Sequence, residues 1–328
     1  MHLRRAFLAT LLSGALLGTP GCRHSRKVVV DHDGAIDDYV ALVMVLSAPD
    51  RRIEGVTISF GNSYAPAAVE TTRRILLSHG RQPRVGVYRP EQRGKNEFPA
   101  EWRKASAAVD QIPGLEAARR ESARDAVTML RHLLNAEGIH NIDVLVTGPL
   151  TNLAAALRVR TSLVQKIHRL VVMGGAVRVP GNAPGGLAEY NFYVDPEAAA
   201  YILSLVPGGL RLELIPLDAT AAFPVTAQFL HRLRSGSDAS MRQAAAMLSL
   251  AAPHLEERPS YFLWDGAAAL ALLKPEVFAF QDLKLKILPD GRTVEAPDGY
   301  GPVRVALGVT PGTRPLDEVV AILEQSRR

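Results

Sequence analysis

Cysteine is almost missing from this 328-residue chain, which carries only Cys22. No intramolecular disulfide can form, so stability has to come from a buried core. Cysteine and histidine nowhere gather at zinc-ligand spacing, which leaves oxygen donors as the metal ligands in supply. Long apolar runs are missing too: Ala6–Leu17 falls short of the roughly 20 residues that a membrane-spanning helix needs. Neither sign of charge dominates. The 38 Lys and Arg are scattered against 33 Asp and Glu for a net +5, which argues against a nucleic-acid surface. Internal repeats, low-complexity tracts and a clear linker are all absent. Tryptophan occurs twice, at Trp102 and Trp264.

Residues 1–21 read as an export signal rather than as fold. Met1–Arg5 is a positive n-region before the apolar stretch, and Arg4-Arg5-Ala6-Phe7-Leu8 resembles a twin-arginine signal. Cys22 follows Thr19-Pro20-Gly21 and resembles a lipoprotein cleavage site, although Thr19 stands where Leu is usual. The expectation is an exported protein of the cell envelope or periplasm, anchored by lipid on Cys22 and joined by a tether over residues 22–27. A plain secretory signal or an uncleaved anchor is the alternative. Cleavage would remove Arg4 and Arg5 and no acid. The remaining Arg23, His24, Arg26 and Lys27 would then favour an anionic lipid surface.

What the chain does have is concentrated in Lys27–Leu46. Val28–Val30 predicts a strand buried on both faces, and Val40–Leu46 a buried helix. Between them stand Asp31, Asp33, Asp37 and Asp38, at the place where open α/β sheets bind ligands. The helix dipole offsets only about 0.3–1 kcal/mol of repulsion per carboxylate. A bound cation is the simplest resolution, and a solvated N-cap cluster is the plainer one. An EF-hand is excluded, because Gly34 comes too early and Leu42 occupies the twelfth position.

Further strands are predicted at Arg52–Phe60, Arg84–Tyr88, Ile142–Val146, Ile167–Met173, Arg211–Ile215, Val277–Leu288 and Pro302–Val309. Helices are predicted between them. Arg89–Glu121 has no sustained period and reads as an active-site loop or lid. This alternation predicts a single α/β domain over residues 28–328, with a doubly wound, mostly parallel sheet and helices on both faces. Asp33 and Asp38, Thr147 after the fourth strand, and Asp265 at the start of a late helix then share one rim. Hard oxygen ligands of this kind suit Ca²⁺ or Mg²⁺.

The segments Asp31-His32-Asp33-Gly34-Ala35-Ile36-Asp37-Asp38, Thr147-Gly148-Pro149-Leu150-Thr151-Asn152, Met173-Gly174-Gly175-Ala176, Gly181-Asn182, Glu189-Tyr190-Asn191 and Trp264-Asp265 occur in this order. From Lys27 nearly to the C-terminus the chain resembles the nucleoside hydrolases, which cleave ribonucleosides to ribose and free base. Many members have Pro-Gly after the second Asp. Gly34-Ala35 here is closer to the branch that prefers inosine, adenosine and guanosine. That branch stacks the purine between two tryptophans, one in a Phe-Pro-x-Glu-Trp-Arg segment and one before the late metal Asp. Trp102 and Trp264 match both places, whereas core packing is the usual fate of a tryptophan.

The resemblance implies a Ca²⁺ held by Asp33, Asp38, Asp265 and the Thr147 carbonyl, with Asp31 supporting. Asp33 would be the general base that takes a proton from the attacking water. It also implies that Asp37 and Asn191 bind the 2′- and 3′-hydroxyls and that Asn182 and Glu189 hold the 5′-hydroxyl. Asn62 would lie near base or ribose, although the purine branch more often has Asp there. Two indoles around the base would favour its protonated, departing form, so no side-chain acid is required. Tyr261 and Arg258 would sit on a loop over the base. His32 is expected to hydrogen-bond behind the ligands rather than bind metal, and Met173 to pack beneath the ribose or in the core. The resemblance further implies a homodimer, as in the purine branch, where other branches form tetramers.

Three other readings compete. Asp31-His32-Asp33-Gly34 also fits the Asp-x-Asp-Gly signature of haloacid-dehalogenase-type phosphatases, but Ala35 replaces the usual Thr and the later motifs go unexplained. A lipoprotein that binds nucleosides without cleaving them would keep the same residues. A broad or pyrimidine-preferring nucleoside hydrolase is the nearest alternative.

Overall fold

Val28 and Val30 join one apolar cluster and Val29 another, so the first strand is covered on both faces. A computed structural model of the chain describes residues 25–81, 85–112, 115, 125–251 and 261–325. The leader, Cys22 and Arg258 lie outside the described residues. Among the described residues the sheet has nine strands: β1 (Arg26–His32), β2 (Arg51–Ile58), β3 (Gly86–Tyr88), β4 (Ile142–Val146), β5 (Ile167–Met173), β6 (Leu212–Ile215), β7 (Phe278–Ile287), β8 (Thr293–Glu295) and β9 (Tyr300–Val309). Their order is β3-β2-β1-β4-β5-β6-β9-β7-β8. β1 to β6 pair in parallel, β9 joins β6 in parallel, and β7 runs antiparallel to both β9 and β8.

The chain winds outward one way through β2 and β3 and the other way through β4, β5 and β6. The direction therefore reverses between β1 and β4, and a crevice opens beyond their carboxyl ends. Register sets what meets there. Asp31 is level with Thr57 of β2 and Val146 of β4, and the Thr147 N–H donates to the Asp31 carbonyl at 2.9 Å.

The same alternation runs through the central strands. Leu145, Val171 and Met173 face one cluster, while Val144, Val146, Leu170 and Val172 face the other. The first cluster takes in the helices Ile36–Ser47, Ala65–Ser78, Ala239–Ala251, Trp264–Leu273 and Pro315–Leu323. The second takes in Ala126–Asn135, Thr151–Val159 and Pro196–Ser204. All twelve residues of Ile36–Ser47 are buried, so its apolar run lacks a polar face. No helix among the described residues is long and apolar enough to cross a membrane.

Several short elements differ from expectation. The stretch read as a loop contains the helix Ala100–Ala107 and a 3₁₀ turn, Ala108–Gln111. Of the helix's eight residues only Ser106 is buried, so no apolar stripe marks it. The three-residue strand β8 was likewise too short to show an alternation. Other boundaries move by only a few residues.

Candidate active site

A cavity of about 560 Å³ opens at the carboxyl ends of β1 and β4, within the usual size of a small-molecule site. The turn after β1 supplies Asp33 and Asp37, and the end of β4 supplies Thr147. Asn62 reaches it from the turn after β2, and Trp102 from the helix Ala100–Ala107. Asn182, Glu189 and Asn191 enter from the connection between β5 and β6, and Tyr261, Trp264 and Asp265 from the late helix and its approach. Asp31, His32 and Asp38 are buried behind this wall.

Asp38 organises the acidic turn. Its Oδ2 accepts from the backbone N–H groups of Ala35 at 2.8 Å and Asp33 at 3.2 Å, and its Oδ1 accepts from Thr147 Oγ1 at 2.5 Å. These bonds satisfy donors at the start of a helix whose N-cap, Ala35, has no side-chain oxygen to offer. Gly34 sits at φ +82°, and a Cβ there would lie 2.7 Å from that of Ala68. Proline, fixed near −65°, could not occupy it, so this turn differs from one built on Pro-Gly.

His32 has a definite tautomer. The Thr72 hydroxyl donates to the Ala68 carbonyl at 2.7 Å, so His32 Nε2, 3.1 Å away, must donate to it. Nδ1 then accepts the Gly34 N–H at 3.2 Å. Burial lowers the His32 pKa, which keeps the ring neutral. Asp31 Oδ1 accepts from Asn152 Nδ2 at 3.2 Å, and burial pushes its carboxyl well up.

Asp33 Oδ2 accepts from the Asn62 N–H at 2.9 Å. Asp37 Oδ1 accepts from the Tyr261 hydroxyl at 2.5 Å, and Oδ2 from the Asp265 N–H at 2.9 Å. Burial raises all three carboxyls: Asp37 to about 6, and Asp33 and Asp265 well above the usual range. The neighbouring carboxylates push further in the same direction, Asp38 on Asp33, and Asp37 then Asp38 on Asp265. Among the described residues, no lysine or arginine is among the largest influences on them.

This donor set fits a hard cation. Several buried carboxylates repel one another beside the carbonyl of Thr147, and among the described residues no cation is a leading influence on them. The side chains are not drawn together as a finished shell, however. Among the described residues no three Asp, Glu, His or Cys groups close on one point, because the carboxylate oxygens of Asp33, Asp37 and Asp38 are turned to backbone amides and hydroxyls.

The opposite wall is braced by Glu189, which caps the helix Tyr190–Val194. Its Oε1 accepts from Asn191 N at 2.8 Å, and its Oε2 from Gly175 N at 2.9 Å and Phe192 N at 3.2 Å. Burial still pushes its carboxyl up to about 7. Asn191 Nδ2 donates to the carbonyls of Thr147 at 2.8 Å and Met173 at 3.2 Å, so Met173 packs against the asparagine on the cavity wall. Asn182 Oδ1 accepts from Tyr190 N at 3.0 Å.

Aromatic rings close the mouth from two sides. Trp102 meets Tyr190 edge-on at 4.8 Å, with Phe98 stacked on Tyr190 at 4.7 Å. Trp264 meets Tyr261 edge-on at 4.9 Å. Phe98, Ser106 and Tyr190 were not among the predicted site residues. Phe98 and Tyr190 could have been found beside Trp102 and Glu189 in the motifs, whereas Ser106 carries no sequence signal.

The family model for inosine-uridine preferring nucleoside hydrolase matches residues 28–314 of this chain. The chain belongs to that family. It is 30% identical to the probable uridine nucleosidase 2 of Oryza sativa subsp. japonica over 278 residues, 81% of this chain and 79% of that protein. It is 29% identical to the pyrimidine-specific ribonucleoside hydrolase RihA of Klebsiella pneumoniae over 259 residues, 76% of this chain and 80% of that one. The crystal structure of an inosine-uridine preferring nucleoside hydrolase from Bacillus anthracis superposes with a TM-score of 0.82 at 29% identity, covering 92% of this chain and 99% of that one. Membership makes the chain a ribonucleoside hydrolase, an N-glycosidase with a nucleoside as substrate. The parallel sheet with an antiparallel edge is that family's α/β fold.

Proposed function

We propose that the chain hydrolyses purine ribonucleosides to free base and ribose, with Ca²⁺ at the acidic turn and Asp33 as general base. The observation that carries it is one cavity lined by Asp33, Asp265 and Thr147 at its floor and by both of the chain's tryptophans nearer its mouth. Asp33, Asp38, Asp265 and the Thr147 carbonyl would hold the cation, with Asp31 and His32 behind them. Bound there, Ca²⁺ supplies Lewis acidity toward a water molecule and the ribose hydroxyls.

The chain's own groups do the rest. Asp33, held by the Asn62 N–H, takes the proton from the attacking water on one face of the sugar. The buried carboxylates beneath the ribose stabilise the positive charge that develops at C1′ as the bond to the base lengthens. Asp37 and Asn191 meet the 2′- and 3′-hydroxyls, and Asn182 and Glu189 the 5′-hydroxyl. Such a site rejects 2′-deoxynucleosides by about 10⁴-fold, because their binding leaves buried polar groups unpaired. Trp102 and Trp264 stack the base and favour its protonated form by roughly 1–2 kcal/mol. Tyr261, bonded to Asp37, ties the base side of the cavity to the ribose side.

A second reading has its own support, since the relatives from rice and Klebsiella are named for uridine and pyrimidine nucleosides. Ribose release from inosine, guanosine, adenosine, uridine and cytidine decides between them. Faster cleavage of the three purine substrates supports the stacking role, and preferential cleavage of uridine or cytidine overturns it. The leader belongs to the same proposal: the enzyme works in the cell envelope, anchored through Cys22. Cys22→Ser would then move it from the membrane to the soluble fraction, and an unchanged distribution would refute the anchor.

A further inference from the structure

The helix Ala100–Ala107 brings more than Trp102 to the cavity. Ser106, one turn further on, lies on the same side of the helix and is buried at 3% exposure. Its hydroxyl donates to Asn62 Oδ1 at 2.6 Å. Arg103, beside Trp102, donates from Nε to the Gly61 carbonyl at 3.2 Å. Both bonds grip the two-residue turn whose next contact is Asp33, where Asn62 N–H donates to Oδ2. Arg103 is itself held by Glu97 at 3.0 Å, and Glu97 by Arg93, which lies over the Phe60 ring at 4.2 Å.

Gly61 leaves no slack in this chain of contacts. A Cβ there would stand 1.9 Å from Asp33 Oδ2. A Cβ at Gly148 would likewise stand 2.9 Å from Asp33 Cβ. The Asp33 carboxylate thus lies close against the Gly61 backbone, so a shift of the Gly61–Asn62 turn moves the carboxylate.

We propose that Ser106 and Arg103 are positioning residues: through Asn62 and Gly61 they fix the Asp33 carboxylate, coupling the helix that carries Trp102 to the proton acceptor. This rests on the reading of Asp33 as general base and of Trp102 as a base contact. Neither residue needs to touch the reacting atoms. Their effect falls on the chemical step rather than on substrate affinity, because geometry at Asp33 matters most when the proton moves.

Ser106→Ala, Ser106→Thr and Arg103→Lys test it in the full chain. Three readouts are needed: steady-state ribose release from inosine, inosine affinity by quenching of the two tryptophans, and thermal melting. Ser106→Ala is expected to lower kcat about tenfold, with KM and inosine affinity within about twofold and an unchanged Tm. Ser106→Thr, which keeps the hydroxyl, is expected to recover most of the rate. Arg103→Lys keeps the charge but removes the Nε donor, and is expected to lower kcat in the same way. It serves in place of Ser106→Ala if that variant does not fold.

Unchanged kcat in both Ser106→Ala and Arg103→Lys overturns the proposal. So does a loss confined to KM and inosine affinity, or a loss of rate that follows Tm and is not recovered by threonine. A wild-type chain that releases no ribose would bring down the proposed function and this inference together. An active wild type with indifferent variants brings down the inference alone.

Discussion

Gly61→Ala is the smallest substitution that acts on the proposed general base without altering it. Gly61 does not have a positive φ, so alanine can adopt its backbone without strain. Its new methyl, however, would lie 1.9 Å from Asp33 Oδ2 and 2.6 Å from Cγ. Ordinary carbon–oxygen contact needs about 3.4 Å, so the carboxylate must move by about 1.5 Å. The base of the same side chain is also close to the Gly148 backbone, where a Cβ would stand 2.9 Å from Asp33 Cβ. A displacement near 1 Å at a catalytic group costs about 10²-fold. The expected result is therefore a fall in kcat of about two orders of magnitude, read as ribose release from inosine. Overpacking should cost about 1 kcal/mol, the low end for a crowded core, because a side chain rather than a strand gives way. For a chain of this size that lowers Tm by roughly 1–2 °C. A Gly61→Ala enzyme with wild-type kcat would refute the argument that Asp33's position sets the rate.

Three further outcomes follow from the site. Glu189 has its carboxyl raised by burial from 4.5 to about 7, so the native state favours its protonated form. That costs about 3 kcal/mol above pH 7, relieved as pH falls from 7 toward 4.5. Glu189→Gln should flatten that part of the Tm–pH curve, and an unchanged slope would show that another group carries it. Calcium at one hundred times its dissociation constant should stabilise the chain by about 2.7 kcal/mol, with a Tm rise of several degrees that Asp265→Asn abolishes. Equal Tm with calcium and with chelator would exclude a site there. Trp102→Ala, at a residue 40% exposed, should leave Tm nearly unchanged yet raise KM for inosine about tenfold. Equal KM would mean that the indole does not contact the base.

Much of the fold could be read from short-range patterns. Val28–Val30, Ile142–Val146 and Ile167–Met173 are apolar runs of strand length, and each is a strand covered on both faces. Register then does what local sequence cannot, placing Thr147 beside Asp31 although 116 positions separate them. The candidate site residues were found where chemistry is written into consecutive residues, as in Asp31–Asp38 and Glu189–Asn191. The supports were not, because they are single polar residues far apart in the chain. Ser106 meets Asn62 across 44 positions. Thr72 sets the tautomer of His32 across 40. The helix Ala100–Ala107 escaped for a related reason: it buries one residue, so hydrophobic period had nothing to show.

The proposed reaction is calcium-dependent hydrolysis of the N-glycosidic bond of purine ribonucleosides in this cavity. The most direct test is release of base and ribose by leaderless protein from inosine, guanosine, adenosine, uridine, cytidine and 2′-deoxyinosine, with calcium and with chelator. The expected result is calcium-dependent cleavage of the three purine ribosides, little of uridine or cytidine, and almost none of the deoxy analogue. Undiminished cleavage of inosine in chelator would rule out calcium at the acidic turn, and no cleavage by a chain that still binds inosine would rule out the hydrolase.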